Sequence, residues 1–452
     1  MRVAVVGAGI AGLAAALDLT EAGADVVVLE GSDRVGGKLR QERVGDLTVD
    51  VGAESLLARR PEAVALVERL GLPLTHPATT SAAIWTRGAL RPLPPSIMGV
   101  PSDLDALAAS GILDAVPSAT PAPVPDEDVS VARFLRERVG QEIVDRLVEP
   151  LLGGVYAGHA DRLSLQAAAP QILALGADPL AGAAAARAER EESATRHQHV
   201  FAGIVGGVGT LPEALVEHGD LDVRLRSTVR AVERTTAGWS LTVGPTTGVR
   251  TEQYDAVLVA TPAPAAARLL ADAAPEAAFA LAAVDYASMA IVTLVLDGEL
   301  GVEGSGFLVP PVDGTFVKGS TVSTQKWPWL AERAGGSTVV RASIGRAGES
   351  TALLADDATV VERAAADLRS AFGSLPPITA QHVQRWGGAL PQYDVGHLER
   401  VETVERSIAA VPGLEVCGAA YRGIGVPAVL ATAHTAAARL AGRDHAPGRM
   451  DA

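Results

Sequence analysis

The chain has 452 residues, enough for about three domain-sized units and a large core. Its 53 acidic and 38 basic side chains leave a net charge of −15, which argues against nucleic-acid binding and strong attraction to anionic membranes but allows a local basic pocket. One cysteine, Cys417, excludes an intramolecular disulfide and cysteine-rich metal sites and fits a cytoplasmic location, and no long apolar run predicts a membrane span.

The chain enters a strand at once, so no secretory leader is expected. Val3 to Val6 is a short apolar run with valine at three of four positions, as a buried parallel strand requires. Gly7, Gly9 and Gly12 follow in the spacing G-x-G-x-x-G, and a helix-forming stretch from Leu13 to Glu21 ends at Gly23. A second strand, Asp25 to Leu29, closes on Glu30. Each part has a task in holding a dinucleotide. Gly7 permits the tight turn, Gly9 lets the backbone approach a pyrophosphate, and Gly12 lets helix and strand pack closely. The helix N-terminus holds the phosphates with free N–H groups and its dipole. Glu30 can accept hydrogen bonds from both hydroxyls of an adenosine ribose, and its charge repels a 2′-phosphate. A lone glycine motif is weak, but strand, turn, helix, strand and acid in order are specific.

Beyond Glu30 come a second glycine pair, Gly36-Gly37, a strand pair about Gly45-Asp46, and Gly52-Ala53-Glu54-Ser55. A long, extended FAD needs close backbone passage at several such points, whereas a nicotinamide cofactor does not. Residues from about 76 to 200 read as mainly helical, with a proline-rich linker at Pro117 to Pro125. His197 and His199 read as a solvated pair, since the nine histidines show no metal-ligand spacing. Gly206 to Gly209 opens a helix from Leu211 to Glu217 with Pro212 in its first turn. Short strands follow at Val223 to Leu225, Val229 to Glu233 and Trp239 to Val243. Asp255 to Val259 is apolar enough for the central sheet and is stopped by Pro262. Residues from about 265 to 380 alternate helix and strand, including Ser288 to Leu296 and Thr338 to Ile344. Leu414 to Cys417 reads as another central strand, leading through Gly418 and Gly423 to an alanine-rich helix from about Val426. The expectation is an α/β chain with α+β mixing. A discontinuous Rossmann-like FAD-binding domain takes residues 1–75, 200–264 and 382–452. A helical insertion takes 76–199, and a mixed-sheet substrate-binding domain takes 265–381.

On these motifs the chain resembles the flavin-dependent porphyrinogen oxidases, a family within the flavin amine oxidase superfamily. The resemblance is carried by Arg34-Val35-Gly36-Gly37, by Gly52 to Pro61, by Arg146 to Gly158, by Pro391 to His397 and by Tyr421 to Pro427. The N-terminal motif marks only the superfamily, while the runs from Glu149 and from Pro391 narrow it. Gly52 to Ser55 and the lack of a predicted membrane span look most like the Gram-positive and actinobacterial branch, the coproporphyrinogen III oxidases once grouped with protoporphyrinogen oxidases.

Carried over by position, the resemblance implies FAD contacts at Gly7, Ala8, Gly9, Ile10, Ala11, Gly12, Glu30, Gly31 and Lys38, the last through its backbone. It implies passage of the cofactor by Gly52, Ala53, Glu54 and Ser55, adenine against the Val229 backbone, and Trp386 beside the flavin. Ile424, Gly425 and Val426 would present backbone amides to the flavin, and with the helix dipole would stabilise the negative charge of its reduced form near N1 and O2. The implied reaction is a six-electron oxidation of a porphyrinogen in three two-electron steps. In each, hydride passes to flavin N5 and molecular oxygen reoxidises the flavin, releasing hydrogen peroxide. The implied product is coproporphyrin III. No catalytic side chain and no metal are assigned.

Four propionates on the substrate ask for cationic groups in an apolar cleft. Arg59 and Arg60 are the leading candidates, with Lys318 and Lys326 behind them; Tyr421 borders the flavin or belongs to the core. The implied partners are the porphyrinogen, oxygen and the pathway's ferrochelatase, by hand-off of product. The implied location is cytoplasmic, with peripheral membrane contact by the helical region left open. Three other readings stay open. Protoporphyrinogen oxidase would be the same chemistry on two propionates and two vinyls. An amine oxidase would hold its substrate between two aromatics, and this chain has six Phe, five Trp and five Tyr. A carrier would bind FAD or a porphyrin without turnover.

Overall fold

The structure is a computed structural model and describes residues 1–192 and 199–442; His197 lies outside them. Five parallel strands form the sheet that carries the N-terminus. They are Arg2–Val6 (β1), Asp25–Leu29 (β2), Asp222–Arg224 (β3), Ala256–Val259 (β4) and Leu414–Val416 (β5), in the spatial order β3-β2-β1-β4-β5. Strands β1, β2 and β4 are almost wholly aliphatic because both faces of the sheet are covered. Ile10–Glu21 (α1), Val426–Leu440 (α2) and the helix Leu211–Gly219 cover one face. Helices Ala263–Leu270, Pro275–Ala282 and His397–Ala409 and the small sheet of residues 229–254 cover the other.

Helix α1 begins at Ile10, three residues before the expected Leu13. Gly9 is extended, with φ −72° and ψ 173°, and serves as the N-cap, so Gly12 falls inside the helix's first turn. Helices α1 and α2 pack against each other. Each follows a strand of the same parallel sheet, so both N-termini lie at the sheet's carboxyl edge, where ligands of open α/β sheets bind. Neither N-terminus has a side-chain cap.

A seven-stranded mixed sheet stands beside this unit, in the order Ile378–Pro391, Tyr286–Leu296, Thr338–Ile344, Val317–Val322, Gly306–Leu308, Ala83–Thr86 and Ala89–Pro92. The last two strands come from the stretch read as mainly helical. At four residues each they are too short to show a period in sequence, and they become strands by pairing with Gly306–Leu308 and with each other. Helix Asp357–Phe372 covers one face of this sheet. The rest of residues 97–186 is a helical cluster around Phe134 and Leu135, with one π-helical turn at Val144–Val148. Among the described residues no helix is long and apolar enough to cross a membrane, and no His, Cys, Asp and Glu group is placed to hold a metal. His199 is exposed and stacks on His76, with ring centroids 3.8 Å apart.

Candidate cofactor and substrate site

The turn after β1 is built as its sequence suggests. Gly7 has a φ of 108°, and a β-carbon on Gly12 would overlap the Gly7 carbonyl oxygen, so the third glycine sets the closeness of helix to strand. A β-carbon on Gly9 would meet nothing within 4 Å, so this backbone faces an open side. The Glu30 carboxylate spans the turn: Oε2 accepts from Ala8 N at 2.7 Å and Oε1 from Ser32 N at 2.8 Å. Each oxygen keeps a lone pair for a ribose hydroxyl. The chain also returns to this point from far away. Ser227 N donates to Glu30 O at 2.7 Å, and Thr228 lies against Gly31, which brings Val229 close to Glu30 in space.

The segment from Lys38 to Ser55 leaves the first glycine motif, where Gly37 lies against Gly9. Gly36 N donates to Ala8 O at 2.8 Å, tying the second glycine pair to the first motif. Gly52 is pressed on the Lys38 carbonyl, where a β-carbon would overlap, and Ala53 N donates to that carbonyl at 3.3 Å. Burial lowers the Lys38 ammonium to about 8. Trp386 reaches the same segment by donating from Nε1 to Val51 O at 3.0 Å.

The Glu54 side chain points away into the seven-stranded sheet. It is only 8% exposed, accepting from Lys326 Nζ at 2.9 Å, from Ser323 Oγ at 3.0 Å and from Arg341 Nη1. Burial alone would raise its pKa, but the two cations outweigh that and hold the carboxyl well below the usual range. Arg341 Nη2 also donates to Gly52 O at 2.6 Å, and Lys326 Nζ to Ser55 Oγ at 2.9 Å. The Glu54 side chain is thus taken up by the seven-stranded sheet, and Lys326, the weaker of the propionate candidates with Lys318, is committed to this ion pair.

The other cations separate similarly. Arg60 is paired with Glu62 at 2.5 Å, whereas Arg59 is exposed, and partial burial with the Arg190 charge lowers its pKa. Lys318 is buried beside Arg346, and burial with that neighbour lowers it to about 7.

At the second helix start, loop 417–425 leads from β5 to α2. A β-carbon on Gly425 would meet only Pro427 Cδ, at 3.9 Å, so this helix start is open as well. Ile424 packs against the helical cluster, and Tyr421 is core, only 3% exposed. The two runs that single out the resembling family meet beside this loop. Gln392 Nε2 donates to Tyr156 O at 2.9 Å, and Gly158 leaves room for its Oε1. Ser164 N donates to Tyr393 O at 2.7 Å, and Glu149 Oε1 accepts from Ala160 N at 2.8 Å. Tyr393 and His397 then bond directly to the loop. Sequence reasoning noted these motifs but gave Arg341, Tyr393 and His397 no task, because their partners lie far along the chain.

Residues 10–441 match the family of flavin containing amine oxidoreductases. The chain belongs to this family. As a flavin-containing oxidoreductase it takes FAD, and the geometry fits that group: two uncapped helix N-termini share one sheet edge, with an adenosine-type acid beside the first. The chain is 36% identical over 450 residues to the coproporphyrinogen III oxidase of Mycobacterium leprae (strain TN), covering 95% of this chain and 96% of that protein. A crystal structure from Exiguobacterium sp. 255-15, provisionally described as a protoporphyrinogen oxidase, superposes with a TM-score of 0.85 at 30% identity, covering 97% and 98% of the two chains. Cyclohexylamine oxidase from Brevibacterium oxydans IH-35A superposes at 0.72 with 19% identity over 98% of each chain and shares the fold alone.

Proposed function

We propose that this flavoenzyme oxidises coproporphyrinogen III to coproporphyrin III, removing six hydrogens and reducing three molecules of oxygen to three of hydrogen peroxide, in haem biosynthesis. The observation that carries the reading is the 36% identity with the Mycobacterium leprae enzyme over 95% of this chain and 96% of that protein. In this reading the five-stranded sheet belongs to the FAD-binding unit. The seven-stranded sheet, with residues 83–92 added, belongs to the substrate unit.

The chemistry supplied by bound FAD is acceptance of two electrons at a time from the substrate and their delivery to oxygen. The chain's own residues bind and orient. Backbone N–H groups from Gly9 to Gly12 and the α1 dipole hold the pyrophosphate, and Glu30 accepts from the ribose. The amides of Gly425 and Val426 would stabilise the negative charge that the flavin gains on reduction. Arg59, having no acidic partner among the described residues, holds a propionate.

The proposed setting is the cytoplasm, with the product passing to the ferrochelatase of the pathway; contact of the helical region with a membrane surface would be read by co-sedimentation with anionic vesicles. The main test measures porphyrin fluorescence and oxygen uptake with coproporphyrinogen III and protoporphyrinogen IX in parallel. The expected result is faster turnover of the first, with one peroxide per oxygen consumed. Turnover of protoporphyrinogen alone would overturn it in favour of the activity named for the Exiguobacterium protein.

A further inference from the structure

Tyr393 stands between the strand Ile378–Pro391 and the helix His397–Ala409, and is only 1% exposed. Its phenol donates to Ala419 O at 2.7 Å and accepts from Gly423 N at 2.8 Å, so one oxygen closes both sides of the loop that precedes α2. His397, fully buried, stacks on the Tyr393 ring with centroids 3.8 Å apart and 14° between planes. Its Nε2 bonds the Tyr421 carbonyl at 2.9 Å, so this ring nitrogen carries the proton. One junction therefore grips residues 419, 421 and 423 in turn. Behind it, Tyr156 from the run 149–158 packs on Tyr393 with centroids 5.6 Å apart. Gly423 has a φ of 136°, so the loop is held in a conformation that few side chains allow.

The direction of the α2 start depends on this loop. Hydrogen bonds weaken steeply as donor angles open, and donors fixed beforehand stabilise charge at no cost in reorganisation. We propose that Tyr393 is a positioning residue for the flavin: its phenol fixes loop 417–425 so that the amides of Gly425 and Val426 meet the pyrimidine edge squarely, and so sets how well the reduced flavin's charge is stabilised. This rests on the reading that puts the flavin at the α2 start. It also gives the run 149–158 a task, as the buttress of Tyr393 through Tyr156.

Tyr393→Phe keeps the ring contacts and removes only the bridging oxygen. In the FAD-loaded variant, the dissociation constant for sulfite, read from bleaching of flavin absorbance, should rise about tenfold. The two-electron midpoint potential should fall by the matching ~30 mV. His397→Phe, which keeps the stack and loses the bond to Tyr421 O, should shift both readings in the same direction by less. Tyr254→Phe breaks a phenol bond to Glu252, at 2.7 Å, on a different sheet, and should move neither. If Tyr393→Phe and His397→Phe lower the melting temperature but leave sulfite affinity and potential within twofold and 10 mV of wild type by the same conversion, the two residues are structural only and the proposal falls. Neither reading uses a porphyrinogen. An enzyme that shifts potential as expected but oxidises no porphyrinogen overturns the proposed function and supports this inference.

Discussion

The adenosine end and the flavin end of the site meet the same demand, backbone N–H groups aimed at negative charge, by opposite routes. At the adenosine end nearly everything lies within the first 36 residues: Gly7, Gly9, Gly12, Glu30 and the tie from Gly36 to Ala8. At the proposed flavin end the helix start is equally bare, and the loop before it and the segment 38–55 are held by side chains from remote stretches. Tyr393 and His397 hold the loop, Trp386 reaches Val51, and Glu54 is locked to Lys326 and Arg341. A cradle written in one βαβ unit can serve many folds, so it marks a superfamily. A seat assembled from distant segments exists only when the whole chain is folded, and here it contains the residues that narrow the family.

The comparison can be broken most severely at Glu54. Glu54→Gln leaves Lys326 and Arg341 short of a buried counter-charge, and unfolding free energy from denaturant titration should fall by about 3–5 kcal/mol. A loss under ~1 kcal/mol would mean that the tie between cofactor segment and substrate sheet is dispensable. At the other end, Glu30→Ala removes a charged acceptor from the ribose, worth about 1.5–3 kcal/mol, so FAD affinity measured by fluorescence quenching should drop roughly 10–100-fold. Unchanged affinity would remove Glu30 from the site.

His397 separates the two ends by pH. Burial lowers its pKa from an ordinary 6.5 to about 4, so the folded protein keeps it neutral while the unfolded chain protonates below 6.5. Its contribution is therefore full above pH 6.5 and is lost as pH falls toward 4. Between pH 7 and pH 5 that amounts to about 2 kcal/mol. Buried Asp50 and Glu415, raised to about 6 and about 7, act in the opposite sense over this window, so the readout is a difference. From pH 7 to pH 5 the wild type should lose about 2 kcal/mol relative to His397→Gln in denaturant titrations, and equal slopes in both would contradict the assignment. The smallest effects are at the substrate. Arg59→Ala should raise KM for coproporphyrinogen III about tenfold. Arg60→Ala, already paired with Glu62, should change it by less than about threefold.

The asymmetry also explains what could be read in advance. The unit from Val3 to Glu30 is legible because strand period, glycine spacing and the closing acid are all local; only the helix start slips, since Gly12 hides the first turn. The task of Glu54 is illegible because its partner Arg341 lies 287 residues along the chain. Lys326 reads as a free cation until that pair is seen. The strands at 83–92 are too short to announce themselves and take their conformation from Gly306–Leu308. Tyr393 is visible as part of a motif, but the loop it closes is not.

In the proposed enzyme a locally written adenosine cradle and a remotely assembled flavin seat hold a single FAD, each by its own residues. In calorimetric titrations, the Trp386→Leu apoprotein should bind FAD about tenfold more weakly than wild type and ADP equally well. Equal weakening of both ligands, or of neither, would contradict it.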